Sequence, residues 1–240
     1  MTATNNSSAR AALEFRGVTR THGEGARAVT ALNSVSFTVP AGQFVAIMGP
    51  SGSGKSTLLN LAGALDTPTS GTILLGETDL SAVTRADSAK LRRTRIGYVF
   101  QSYNLVPTLS ALENVSLPLE LDGVARPAAE AAAHEALAKL DIDHLASRFP
   151  IDLSGGEAQR VAIARAIVGS REILLADEPT GALDSHTSES VIALLRERAD
   201  AGTTVLLVTH DARLAAWADR VIYLRDGEIV DDSGTAESEA

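Results

Sequence analysis

The sequence contains no cysteine among its 240 residues, which excludes a disulfide framework and thiolate metal sites. No apolar run approaches the roughly 18 residues that a membrane-spanning helix needs, and the N-terminal stretch lacks the apolar core of a signal peptide. The net charge of −9 argues against general nucleic-acid binding. We therefore expect a soluble α/β protein with no nucleic-acid partner, which reaches a membrane only through another protein.

Short apolar runs alternate with helical patterns over most of the chain. The runs "FVAIM", "EILLAD" and "TTVLLVTH" carry no polar alternation, which is typical of strands buried on both faces of a parallel sheet. Helical patterns start at Lys55, follow Pro127 and, in "SESVIALLRERAD", end before Gly202. Near the end, "RVIYLRDGEIV" predicts a hairpin that turns at Asp226 and Gly227. The alternation of strands and helices indicates an α/β fold.

The stretch "FVAIMGPSGSGKST" has the pattern of a strand, a glycine loop and a helix, and it matches G-x-x-x-x-G-K-[ST] in full. Glycines let backbone N–H groups turn onto phosphate oxygens, and the helix N-terminus adds partial positive charge. Lys55 would reach the β- and γ-phosphates, and the Ser56 hydroxyl would ligate Mg²⁺. The predicted phosphate-binding residues are Gly49, Pro50, Ser51, Gly52, Ser53, Gly54, Lys55, Ser56 and Thr57.

Four further polar residues end apolar runs, at the edge where parallel sheets bind ligands. Asp177 would hold the metal with Ser56, and Glu178 would polarise an attacking water. His210 would lie near the γ-phosphate, and Gln101 could touch Mg²⁺ or the water. The alternatives are a strand-capping Asp177, a solvated Glu178 and a structural His210. The phosphate loop upstream favours the catalytic interpretation, with Glu178, His210 and Gln101 as catalytic candidates.

The stretch "LSGGEAQR" places two glycines where a helix begins, although glycine there costs helix stability. Two interpretations are open. The first is an ordinary capping box from Ser154 to Glu157. The second is another anion-binding helix N-terminus, in which Gly155 and Gly156 expose backbone N–H groups to a phosphate.

The motifs "GPSGSGKST", "LSGGE", "LLADEP" and "GALD", with Gln101 and His210, resemble those of an ATP-binding-cassette (ABC) ATPase in order and spacing. The resemblance implies that two copies of the chain sandwich two ATP molecules with Mg²⁺. It places Asp184 at the dimer interface and His22 against adenine, where the family usually has a larger aromatic residue. It also implies that the signature residues act on the nucleotide of the other copy; they are Leu153, Ser154, Gly155, Gly156 and Glu157.

The resemblance also implies the architecture, a P-loop NTPase core with a mostly parallel sheet, an antiparallel β subdomain and a helical subdomain over about 103–158. We expect one domain over 12–230, a disordered tail over 1–11 and a disordered acidic tail over 231–240. The segment that follows Gln101 would face the membrane partner.

Longer stretches such as "YVFQSYNLVPTLSALENVSLPL" resemble the subfamily of lipoprotein-releasing and macrolide-exporting ATPases and the cell-division ATPase FtsE. This implies an ATPase at the cytoplasmic face of the membrane. It would drive a MacB/FtsX-type permease in export or extraction of a lipid, lipoprotein, peptide or drug. The alternative is an FtsE-like regulatory ATPase that signals through its membrane partner to an extracytoplasmic enzyme. A soluble cassette would carry a second cassette or long coiled-coil insertions, and a P-loop kinase would not explain "LSGGE" and "GALD" together.

Overall fold

The computed structural model describes residues 11–234. The strands are β1 (Ala11–His22), β2 (Val29–Pro40), β3 (Phe44–Met48), β4 (Ser70–Leu75), β5 (Thr78–Asp79), β6 (Ile96–Val99), β7 (Ile173–Asp177), β8 (Thr204–Val208), β9 (Arg220–Arg225) and β10 (Glu228–Asp232). The helices are α1 (Lys55–Ala62), α2 (Arg85–Thr94), α3 (Ala111–Leu121), α4 (Arg126–Ala138), α5 (Gly155–Ile167), α6 (Ser185–Asp200) and α7 (Ala212–Ala215). None of the helices in this range has the length and hydropathy of a membrane span.

The central sheet has six strands in the order β10-β9-β3-β8-β7-β6. All neighbours in it are parallel except β9 and β10, which form the predicted hairpin. Every residue of β3, β7 and β8 is buried, because helices or the second sheet cover both faces of these strands. The α/β fold class is confirmed.

The second sheet is antiparallel, in the order β2-β1-β4-β5. It packs on the central sheet and α1 through an apolar layer that includes Phe15 and Phe37, whose rings stack with centroids 4.7 Å apart. A second apolar layer lies on the other face of the central sheet, beneath α5 and α6, and continues under α3 and α4. The segment expected as a helical subdomain contains α3 and α4 and ends in the first turn of α5.

The boundaries of the expected tails need correction at their inner ends. Ala11 already belongs to β1, and β10 continues to Asp232, whose carboxylate accepts a hydrogen bond from Arg220 Nε at 2.7 Å. Backbone pairing and this ion pair keep both ends in the sheets. The rest of the two predicted tails, 1–10 and 235–240, lies outside the described residues.

We expect Gly97→Ala to destabilise the protein by about 1–3 kcal/mol, because a Cβ would overpack the contact between β6 and α5. A Cβ on Gly97 would lie 2.2 Å from the carbonyl oxygen of Ala166. Chemical denaturation measures the loss. Gly181→Ala is the matched control, since its Cβ would meet nothing closer than the Glu178 carbonyl oxygen, at 3.6 Å. Equal stability of the two variants would contradict the packing assigned to Gly97.

Candidate nucleotide site

A cavity of about 360 Å³ lies at the carboxyl edge of the central sheet. Parallel register brings its parts together, because Ile47 and Asp177 both pair with Val208. The polypeptide therefore leaves β3, β8 and β7 at the same level. The predicted site residues that line the cavity are Gly49, Ser51, Gly52, Gly54, Lys55, Ser56, Thr57, Gln101, Asp177, Glu178 and His210.

The phosphate loop needs glycine where it approaches other backbone. Gly49 and Gly54 have φ of 147° and 103°, and a Cβ on them would lie 2.0 Å from the Leu224 carbonyl oxygen and 2.3 Å from that of Ala31. Gly54 caps α1 without a side-chain hydrogen bond, which leaves first-turn N–H groups free for an anion. Lys55 Nζ lies over the loop and donates to the carbonyl oxygens of Gly49 (2.9 Å) and Pro50 (2.7 Å).

Asp177 and Ser56 form a pair of oxygen donors at the floor of the cavity. Asp177 is 7% exposed, and the Ser56 hydroxyl donates to its carboxylate. Burial raises the pKa of Asp177, and the Ser56 hydrogen bond opposes this rise in part. Carboxylate and hydroxyl oxygens are ligands that Mg²⁺ accepts, so this pair fits the predicted metal.

Glu178 and His210 face each other at the mouth of the cavity, with His210 Nδ1 3.3 Å from Glu178 Oε1. The imidazole is largely exposed and the carboxylate is mostly covered. Glu178 has φ of 46°, in the left-handed region that residues other than glycine rarely adopt. Its N–H donates to the Val208 carbonyl oxygen at 3.0 Å. This bond fixes the turn that aims the carboxylate at the cavity.

The signature segment forms the capping box that one interpretation predicted. Ser154 N–H donates to Glu157 Oε2 (2.7 Å), and Glu157 N–H donates to Ser154 Oγ (3.3 Å). The hydrogen bonds from Ser154 lower the pKa of Glu157. The box uses the N–H of the third helical residue and leaves those of Gly155 and Gly156 without a partner inside the helix. The capping and the anion-binding interpretations are therefore compatible.

The two glycines also have neighbours within the chain. A Cβ on Gly155 would lie 2.9 Å from Tyr103 Oη, and a Cβ on Gly156 would lie 3.4 Å from Leu183 Cδ2. Close packing against Tyr103 is thus part of the reason for glycine at position 155, whereas at position 156 a Cβ would make only an ordinary van der Waals contact with the "GALD" turn.

Some predicted site residues lie away from the cavity lining. The signature residues Leu153 to Glu157 are outside it, and so are Asp184 and His22. His22 is exposed at the end of β1. Asp184 caps α6, because its carboxylate accepts from the Thr187 N–H (3.0 Å) and hydroxyl (2.7 Å). These bonds, the hydroxyl first, lower the pKa of Asp184. Pro50 and Ser53 belong to the loop without lining the cavity.

Two residues of the site were not predicted from the sequence. Ala31 lines the cavity from β2. Gln159 is 1% exposed, and its Nε2 donates to the carbonyl oxygen of Pro179 at 2.8 Å, directly behind Glu178. The only signal for Gln159 was a polar residue on the apolar face of a helix, which does not identify its partner.

A sequence profile of the ABC transporter family matches residues 32–181. The macrolide export ATP-binding/permease protein MacB of Hyphomonas neptunium is 47% identical over 228 residues, which cover 95% of this chain and 35% of that protein. The chain thus spans about a third of the length of the MacB relatives it matches. The uncharacterized ABC transporter ATP-binding protein YvrO of Bacillus subtilis is 46% identical, over 92% of this chain and 96% of that protein.

Solved structures of a bacterial ABC transporter cassette, MJ0796, have the same fold. The structure of its dimer in a post-hydrolysis state with ADP and Pi superposes on this chain with a TM-score of 0.89. The two sequences are 42% identical, and the match covers 92% of this chain and 97% of that one. A second dimeric structure of that cassette gives the same TM-score.

We expect Asp177→Asn to raise the melting temperature of the nucleotide-free protein at neutral pH. Because burial raises the pKa of Asp177, the ionised carboxylate destabilises the folded state at pH values above that pKa. Asparagine carries no such charge. The difference should shrink as the pH falls from the raised pKa of the folded state towards the ordinary value of 3.8, and it should vanish below 3.8, where folded and unfolded chains both hold the proton. Thermal unfolding across pH measures it, and a lower melting temperature for the variant at neutral pH would contradict the assignment.

Proposed function

As a member of the ABC transporter family, the chain is an ATP-hydrolysing cassette, and we propose that two copies of it enclose Mg-ATP and drive a MacB/FtsX-type membrane permease. The observation that carries the proposal is the convergence on one cavity of the phosphate loop, Asp177, Glu178, His210 and Gln101. They come from the ends of four strands or from the loops that follow them, and Asp177 and Glu178 share the end of β7.

The geometry supports a hydrolytic mechanism in which each polar residue of the cavity has a defined role. The phosphate loop and Lys55 would hold the β- and γ-phosphates, and Ser56, Asp177 and Gln101 would hold Mg²⁺, which neutralises charge on the phosphate oxygens. Glu178 would accept a proton from a water molecule while the oxygen of that water attacks the γ-phosphorus. The bond between the γ-phosphorus and the oxygen that bridges it to the β-phosphate would then break. His210, 3.3 Å from that carboxylate, would keep it aimed at the water. ADP and inorganic phosphate are the products.

The position of the signature supports a site completed by a second copy. Leu153 to Glu157 stay outside the cavity of their own chain, while the N–H groups of Gly155 and Gly156 are unused within α5. We propose that they bind the γ-phosphate held by the other copy, with Asp184 at the same interface. The dimeric structures of the related cassette support a dimer of this chain. His22 would lie against the adenine.

The names of the relatives support a membrane partner. The MacB proteins are named as ATP-binding and permease proteins, and this chain covers 35% of one of them. We propose that this chain supplies the ATPase part and associates peripherally with a permease at the cytoplasmic face. Export or extraction of a lipid, lipoprotein, peptide or drug would be the result.

Glu178→Gln should bind ATP, turn over far more slowly and accumulate as a dimer with ATP and Mg²⁺, because the amide cannot take the proton. Light scattering measures the mass and phosphate release measures turnover. The matched control adds Lys55→Ala to the same chain, which should bind ATP poorly and stay monomeric. A Glu178→Gln protein that stays monomeric with ATP would contradict the shared site.

The proposed permease partner is tested by purifying the Glu178→Gln variant from its native membranes in the presence of ATP. Mass spectrometry then identifies the proteins bound to it. A permease with few spans and a large extracytoplasmic domain is expected. An extracytoplasmic hydrolase in the same complex would favour the regulatory alternative, and capture of soluble proteins alone would overturn the transporter proposal.

A further inference from the structure

Helix α5 carries a partly buried guanidinium, that of Arg165, which the nucleotide chemistry does not use. Arg165 Nη1 donates to the carbonyl oxygen of Asn104 at 2.7 Å, and its Nη2 donates to that of Tyr103 at 2.8 Å. Burial lowers the pKa of Arg165 to about 10, so the group remains charged at neutral pH. Taking part of this charge out of water costs free energy, which the hydrogen bonds to the two backbone carbonyls offset in part.

The two carbonyls belong to a bend of unusual conformation. Tyr103 and Asn104 have φ of 54° and 52°, so two successive residues with side chains adopt the left-handed region. Such backbone persists only where the surroundings hold it. A planar guanidinium that donates to both carbonyls holds the bend in a way that a single hydrogen bond cannot. Tyr103 also places its Oη against Gly155, at the other end of α5.

The bend begins next to a residue of the cavity. Gln101 lines the cavity and is separated from Tyr103 by Ser102 alone. On the N-terminal side of Gln101, the chain is fixed by β6, which ends at Val99 and pairs with β7. The direction of Gln101 is therefore set between a strand end and the bend that Arg165 holds.

We propose that Arg165 is a positioning residue for Gln101. It holds the Tyr103–Asn104 bend and thereby ties Gln101 to the helix whose N-terminus carries the signature. The proposal rests on the proposed function in one respect, namely that Gln101 acts on the metal or the water. A shift of α5 on contact with a second copy would reach Gln101 through this guanidinium.

The test is a double-mutant cycle on ATP hydrolysis by the full chain. Arg165→Lys keeps the charge but loses the planar pair of donors. We expect kcat to fall about tenfold, as for a small misplacement of an active-site group, with KM for ATP unchanged because the phosphate loop is untouched. In a Gln101→Ala background, the same substitution should change kcat little.

Arg160→Lys is the matched control. Arg160 lies on the same helix and donates to a backbone carbonyl, that of Leu140 (3.1 Å), away from the bend. It should keep the wild-type kcat even if its melting temperature falls as much as that of Arg165→Lys. Should Arg165→Lys fail to fold, Arg165→Gln, whose single amide reaches one carbonyl, takes its place in the cycle.

Two outcomes would overturn the proposal, and they differ. If Gln101→Ala is impaired and Arg165→Lys lowers kcat by the same factor in both backgrounds, Arg165 does not act through Gln101. If Gln101→Ala is as active as the wild type, the role of Gln101 in the proposed function fails, and the role of Arg165 fails with it.

Discussion

Hydrogen bonding in register between buried parallel strands is the constraint on which the rest of the structure depends. Because β3, β8 and β7 stop at the same level, the segments that follow them meet at one edge. The phosphate loop, the Asp177–Glu178 pair and His210 are therefore neighbours although they are far apart in the sequence. The strands hold this register because both of their faces are buried and a slip would leave backbone groups unpaired.

Helix α5 is the second fixed element, and it contacts the segments that follow Glu178 and Gln101. Gly97 lets it lie directly on β6, Gln159 supports the turn behind Glu178, and Arg165 holds the bend after Gln101. Ser154 caps the same helix, and the signature around this cap would face a second copy. A single helix thus links the cavity of one copy to the surface that would contact a second copy.

Elements with strong local signals were predicted well, and contacts between distant residues were not. The apolar runs identified β3, β7 and β8, and the glycine loop identified α1. Helix α2 was not predicted, because none of its residues is fully buried and Leu91 is its only large apolar side chain, so it shows no apolar periodicity. Helix α6 begins at Ser185 rather than Ser188, since Asp184 caps it. The partners of Gln159 and Arg165 depend on tertiary packing and leave no periodic pattern.

The most direct test of the shared site mixes two variants that should each be inactive. Lys55→Ala lacks phosphate binding but keeps its signature, whereas Gly156→Asp keeps its phosphate loop and places a carboxylate where the phosphate of the other copy would lie. A Cβ at position 156 would meet nothing closer than Leu183 Cδ2, at 3.4 Å, so the cavity of its own chain stays intact. If each cavity is completed by a second copy, a mixed dimer contains one intact pair, and the mixture should hydrolyse ATP while neither variant does alone. A mixture that forms dimers with ATP and Mg²⁺ yet remains as inactive as its components would contradict the account.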